Sequence, residues 1–193
     1  MNFPKPRCLI FLLILGAGWV SPVWAQTAED WFLMGNRLMG ERKAEEAVKA
    51  YEESLKLNPN AGVAYYNLGL AYKILERFED SAGALEEVVR REPDNLDARA
   101  ELGTIYNYLE RWEDAIGQLN IVVHRRMDDA EAHGNLGWAY FNYESDPPFK
   151  ILTIINLEKA IALFEAQNQI EAAEATREVL SEALARYGET PGP

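Results

Sequence analysis

Apolar residues in this chain recur at spacings of three and four, the pattern of helices that bury one face. In the first block Trp31, Met34 and Leu38 share a face, and beyond a polar break Ala47, Tyr51 and Ser54 begin a second. Both blocks return at a fixed interval. Gly35, Gly69, Gly103 and Gly137 lie 34 residues apart, preceded by Met34, Leu68, Leu102 and Leu136 and followed three residues on by Leu38, Tyr72, Tyr106 and Tyr140. A period of this length predicts a solenoid of stacked helical hairpins, because one hairpin cannot bury its apolar faces without a neighbour.

The second block repeats in the same way. Ala47, Tyr51, Ser54 and Pro59 correspond to Ser81, Leu85, Val88 and Pro93, then to Ala115, Leu119, Val122 and Met127. Glycine at the eighth place of a unit lets the second helix approach the first. Pro59 and Pro93 stop the second helix, since proline lacks an amide donor and clashes with the turn before it. Where Met127 stands instead, Asp128 and Asp129 are expected to cap the next helix.

Trp31-x2-Met34-Gly35-x2-Leu38, Ala47-x3-Tyr51 and Pro59 together resemble the tetratricopeptide repeat. The resemblance implies an all-α fold: a right-handed superhelical solenoid of antiparallel helix pairs over residues 26–187. Units at 28–61, 62–95 and 96–129 precede a modified fourth at 130–167. A capping helix at 168–187 and a short tail at 188–193 complete the chain.

The fourth unit departs from the period after Tyr143. Glu144 to Pro148 interrupts it, and the next helix is expected near Pro148 with Asp146 as its cap. Leu157 and Ala160 then match Tyr51 and Ser54, which implies about four inserted residues. Phe149, Ile151, Leu152, Ile154, Ile155, Leu157, Ile161, Leu163 and Phe164 make this helix apolar on more than one side. Its expected cover is the last helix, with Ile170, Ala173, Val179, Leu180, Ala183, Leu184 and Tyr187 on one stripe and charged residues opposite. Gly188 ends that helix.

The N-terminus is a different object. Lys5 and Arg7 precede an apolar run from Cys8 to Val20, and Val23 and Ala25 suit a secretory cleavage site with Gln26 as the new N-terminus. Residues 1–25 therefore read as a signal peptide, and the mature chain as periplasmic or secreted. An uncleaved membrane anchor is the alternative. Cleavage leaves 168 residues without the single cysteine, as suits an oxidising compartment. It also leaves 17 basic against 31 acidic residues, a formal charge of −14. That charge disfavours nucleic acid and anionic lipid and favours basic partners, while acidic residues also simply solvate helix faces.

No catalytic pattern stands out. His124 and His133 are the only histidines; the first sits near a helix end beside Arg125 and Arg126, the second takes the packing place of Trp31 and Tyr65. No metal-ligand spacing, phosphate-cradling glycine loop or nucleophile elbow is present. The sequence reads as a non-enzyme without cofactor or metal.

The resemblance also locates a binding surface, since tetratricopeptide grooves are lined by the first helix of each unit. The residues so placed are Phe32, Asn36 and Met39, then Tyr66, Asn67, Leu70 and Lys73, then Thr104, Asn107 and Tyr108, and finally Trp138, Phe141 and Asn142. Glu29, Asp97 and Glu131 flank them. This groove has an aromatic and aliphatic floor, suited to a protein or peptide with an apolar anchor and basic flanks rather than a small-molecule substrate. The final helix or a second copy are the other occupants to expect. Some family members grip a C-terminal carboxylate with Lys and Asn. Asn36 and Asn67 match the amides, but Phe32, Ala100 and Thr104 stand where the cations belong, so that clamp is not expected. Three uses remain: a scaffold in an envelope assembly or secretion machine, a self-associating structural protein, and a non-catalytic accessory to an envelope enzyme.

Overall fold

The computed structural model describes residues 27–143 and 149–188. The expected signal segment, Asp146, Pro148 and the tail beyond Gly188 lie outside them. Among the described residues there are nine helices and no strand: α1 (Ala28–Gly40), α2 (Ala44–Leu57), α3 (Gly62–Ile74), α4 (Phe78–Arg91), α5 (Leu96–Tyr108), α6 (Trp112–Arg125), α7 (Ala130–Asn142), α8 (Lys150–Ala166) and α9 (Ile170–Arg186). The first helix of successive pairs starts at Ala28, Gly62, Leu96 and Ala130, keeping the 34-residue interval of the sequence.

Each hairpin closes through the same contact. A Cβ built on Gly35 would run into the Tyr51 ring; on Gly69 it would meet Leu85 Cγ at 2.8 Å, on Gly103 Leu119 Cγ at 2.5 Å and on Gly137 Leu157 Cγ at 2.7 Å. Leu157 thus takes the place that the four-residue insertion assigns to it. Tyr51, Leu85, Leu119 and Leu157 are all essentially buried. Close approach, rather than backbone freedom, is why glycine stands there.

The turns repeat too. Arg42, Glu76 and Glu110 take left-handed φ values of 60°, 56° and 56°. The next amide reaches back to the helix, Lys43 N–H to Leu38 O at 2.9 Å, Arg77 to Tyr72 O at 2.9 Å and Arg111 to Tyr106 O at 2.9 Å. Such a closure usually carries glycine. Asn168, with φ 59°, and Gln169 N–H to Phe164 O at 2.8 Å make the same turn between α8 and α9. The last helix is therefore joined by the turn that closes a hairpin.

Helix starts use side-chain caps where the sequence supplies them. Thr27 and Asp30 form a reciprocal capping box on α1, Asn95 caps α5, and Asp129 accepts from Ala132 N–H at 2.9 Å on α7. Neighbouring units are tied by tyrosine. Tyr72 OH donates to Glu52 at 2.8 Å and Tyr106 OH to Glu86 at 2.7 Å, with Arg77 and Arg111 stacked over the two rings. Burial, then the hydrogen-bonded Glu52 carboxylate, pushes the Tyr72 hydroxyl up to about 12. Between units three and four the carboxylate is replaced by Asn120, whose Nδ2 donates to Tyr140 OH at 3.0 Å.

The C-terminal end corrects two expectations. The apolar helix α8 is not covered on all sides: Ile151, Leu152 and Ile155 are 70%, 39% and 54% exposed. Ile170 is also exposed, so it does not belong to the buried stripe of α9. The last helix does cover α8, Ala172 and Ala173 packing with Ala160, Leu163 and Phe164, and it also reaches α7. Val179, Leu180, Ala183 and Tyr187 pack with Phe141, Trp138 and Leu157.

Candidate binding groove

The groove runs from α3 across α5 and α7 to α9, with a volume of about 600 Å³. Successive first helices stand side by side, so residues one turn apart on each form a continuous wall. Tyr66 and Lys73 come from α3, Asp97, Glu101, Thr104 and Tyr108 from α5, and Glu131, Asn135 and Trp138 from α7. Arg126 and Asp129 reach in from the turn before α7, and Thr176 and Val179 close the far side from α9.

Of the residues expected in the groove, the structure brings together Tyr66, Lys73, Thr104, Tyr108 and Trp138. Tyr108 is exposed and held by a parallel stack on Phe78, centroids 4.6 Å apart. Lys73 is not a free cation; its ammonium donates to Glu101 at 2.8 Å.

The other expected residues do different work. Asn36 and Asn67 spend their amides inside the scaffold: Asn36 Oδ1 accepts from Tyr51 OH and from Asn67 Nδ2, both at 2.8 Å. Phe32 leans on Tyr51 beside a small separate cleft near Ala28 and Val63. Met39 packs against the N-terminal core, and Leu70 is half-buried outside the groove lining. Asn107 is buried and donates to Asn135 O at 2.9 Å, and Asn142 Nδ2 bonds Trp138 O at 2.8 Å. Phe141 is the clear correction. It is 4% exposed, with the Arg186 guanidinium 3.8 Å above its ring and Tyr187 at its edge. Its place on α7 faces the last helix, not a ligand. The floor is therefore aromatic and charged rather than aromatic and aliphatic.

Residue-type reasoning missed Glu101, Arg126, Asp129, Asn135 and Val179. The first and fourth share the repeat place of Asn67, one residue after Tyr66. That offset was legible, since Asn135 Nδ2 bonds Thr104 Oγ1 at 2.9 Å across units as Asn67 bonds Asn36. The contribution of α9 depends on its docking and had no sequence signal.

The remaining polar groups are structural. His133 Nδ1 meets Asn156 Oδ1 at 2.8 Å, linking α7 to α8, and His124 Nδ1 lies 2.7 Å from the carbonyl of Asn120. Among the described residues no three His, Cys, Asp or Glu side chains gather as a metal site, and no helix is long and apolar enough to cross a membrane.

This is a helical-repeat solenoid with one long groove, a fold that generally serves as a non-catalytic scaffold for protein interactions. Residues 35–75 match the family described as TPR repeat, and residues 75–119 the one described as Tetratricopeptide repeat. These matches support the tetratricopeptide repeat family for this chain. No curated protein matches its sequence. Among solved structures it is similar to MamA 41-end from Desulfovibrio magneticus RS-1, with TM-score 0.66 and 19% identity over 84% of this chain and 97% of that one. It is also similar to YrrB, a TPR protein with an unusual peptide-binding site, with TM-score 0.62 and 20% identity over 82% and 87%. A third is the first TPR of Spaghetti (RPAP3) bound to HSP90 peptide SRMEEVD, with TM-score 0.56 and 22% identity over 61% and 93%. At these identities the likeness is one of fold.

Proposed function

We propose that the chain is an exported scaffold that holds a segment of a partner protein in the α3–α9 groove, within an envelope assembly or secretion complex. One observation carries the groove: Tyr66, Tyr108 and Trp138, from three consecutive first helices, line a single cavity of about 600 Å³. Rings in a contiguous concavity supply buried area at low entropic cost, and the acidic rim selects a partner with basic residues. Structures similar in fold include one described with a peptide-binding site and one with a bound peptide, which supports a peptide-holding role here. Export is supported by the pattern of residues 1–25. The test is crosslinking in intact cells with the Tyr66→Ala, Tyr108→Ala double variant. The expected result is loss of a basic partner, and an unchanged partner set removes the groove from the account. N-terminal sequencing of the exported chain is expected to begin at Gln26; a retained Met1 favours the anchor.

A second reading, self-association, draws on one further observation. The second helices of units one to three open with Glu45 and Glu46, Glu79 and Asp80, and Glu113 and Asp114, but α8 opens with exposed Ile151 and Leu152. Two copies of so acidic a chain meet least repulsion there. Sedimentation over a range of concentrations checks it: a dimer lost in Ile155→Glu supports it, and a monomer throughout ends it.

A further inference from the structure

The hydrogen-bonding capacity of the groove is unbalanced. Its two cations are already engaged, Lys73 with Glu101 at 2.8 Å and Arg126 with Asp97 at 2.7 Å and Asp129 at 3.9 Å. Asn135 Nδ2 is committed to Thr104, and the Thr104 and Thr176 hydroxyls to the carbonyls of Ala100 and Ala172. Four carboxylates thus face two cations that already hold acidic partners, and Glu131 pairs with nothing among the described residues. Behind Asn135 the buried Asn107 Oδ1 has no donor. What the groove offers a ligand is acceptors, negative charge and ring faces. The Tyr66 hydroxyl registers the same field: burial, then the Glu101 and Asp97 carboxylates, hold it above the ordinary phenol range.

Taking the groove as the binding site of the reading above, we infer that its central occupant is a cationic side chain, best an arginine, on an extended segment of a partner protein. A guanidinium laid against Tyr66, Tyr108 or Trp138 satisfies the ring quadrupole, and its five donors answer the spare carboxylate oxygens. An aliphatic anchor leaves those oxygens desolvated and unpaired, which costs affinity. An acidic segment such as SRMEEVD, the peptide bound to the Spaghetti TPR, meets repulsion here.

The test uses the full chain and labelled hexapeptide mixtures, degenerate except for a fixed central Arg, Lys, Leu, Phe or Glu, read by fluorescence anisotropy. The Arg mixture is expected to bind about tenfold more tightly than the Leu mixture, with Glu weakest. Its affinity should fall several-fold between about 50 and 300 mM NaCl, and Glu131→Gln should cost about threefold with the helix content intact. Tyr66→Ala should weaken the Arg mixture as well. Preference for Leu or Phe, lost in Tyr66→Ala, overturns the cationic occupant and leaves the groove reading standing. Arg binding unaffected by both Glu131→Gln and Tyr66→Ala places it elsewhere and overturns the inference. Retention of no mixture overturns both.

Discussion

The second helices of the first three hairpins and α8 of the fourth present the same interior and opposite exteriors. Leu85, Leu119 and Leu157 each sit over a glycine of the facing helix at nearly the same separation. On the outside, paired acids in α2, α4 and α6 give way to Ile151 and Leu152 in α8. The first helices differ likewise. α3 and α5 leave Tyr66 and Tyr108 open to the groove, whereas on α7 the ring of Phe141 is taken up by α9. Stacking needs only the interior to repeat, so surfaces are free to diverge at the end of the array.

The largest test of this contrast is Phe141→Ala. Phe141 is buried against α9, so truncation should cost about 3–5 kcal/mol in urea unfolding and remove amide protection along α9 first. Phe32→Ala, at a half-buried ring of the first unit, should cost less than half as much. Equal costs would mean that α9 is not what distinguishes the two ends.

Next come the glycines. Gly103→Ala drives a methyl into Leu119 and should cost about 1–3 kcal/mol, and Gly137→Ala should match it if the interiors are equivalent. Gly117→Ala meets nothing and should gain about 0.5–1 kcal/mol from helix propensity. A neutral Gly137→Ala would break the equivalence of the fourth hairpin.

The tyrosine links sharpen the comparison through pH. Because the fold raises the Tyr72 hydroxyl from 10.0 to about 12, its neutral form is favoured in the folded chain. The stability it contributes is present in full below pH 10 and is lost as pH rises toward about 12. Melting temperatures across that window should fall, and fall less in Tyr72→Phe. An identical alkaline decline in the variant removes Tyr72 as its source.

The smallest effect concerns the shared turns. Glu76 holds φ 56° without glycine's freedom, so Glu76→Gly should stabilise by about 0.5–1 kcal/mol, measured by chemical denaturation. Destabilisation would show that the Glu76 side chain contributes more than its backbone strain costs.

Part of the groove lining was legible before the structure, and part was not, for physical reasons. The resemblance to tetratricopeptide repeats assigns the groove to the first helices, and Tyr66, Tyr108 and Trp138 converge from three of them. Asn36 and Asn67 were legible as neighbours, yet their mutual hydrogen bond, which withdraws them from a ligand, needed coordinates. The same holds for Lys73, whose neutralisation by Glu101 crosses from one unit to the next. Phe141 was misplaced because its exposure depends on where a non-repeating helix docks.

The spacing of glycines, large apolar residues and prolines by itself determined the helices, their pairing and their stacking, because those follow from local periodicity and from which residues must meet at fixed separation. Tertiary structure alone decided which groove atoms remain uncommitted, and that α9 reaches beyond α8 to Phe141 of α7 while part of α8 stays bare. Hydrogen bonds between units and the docking of a terminal helix join residues far apart in sequence, and no repeating pattern encodes a contact that occurs once.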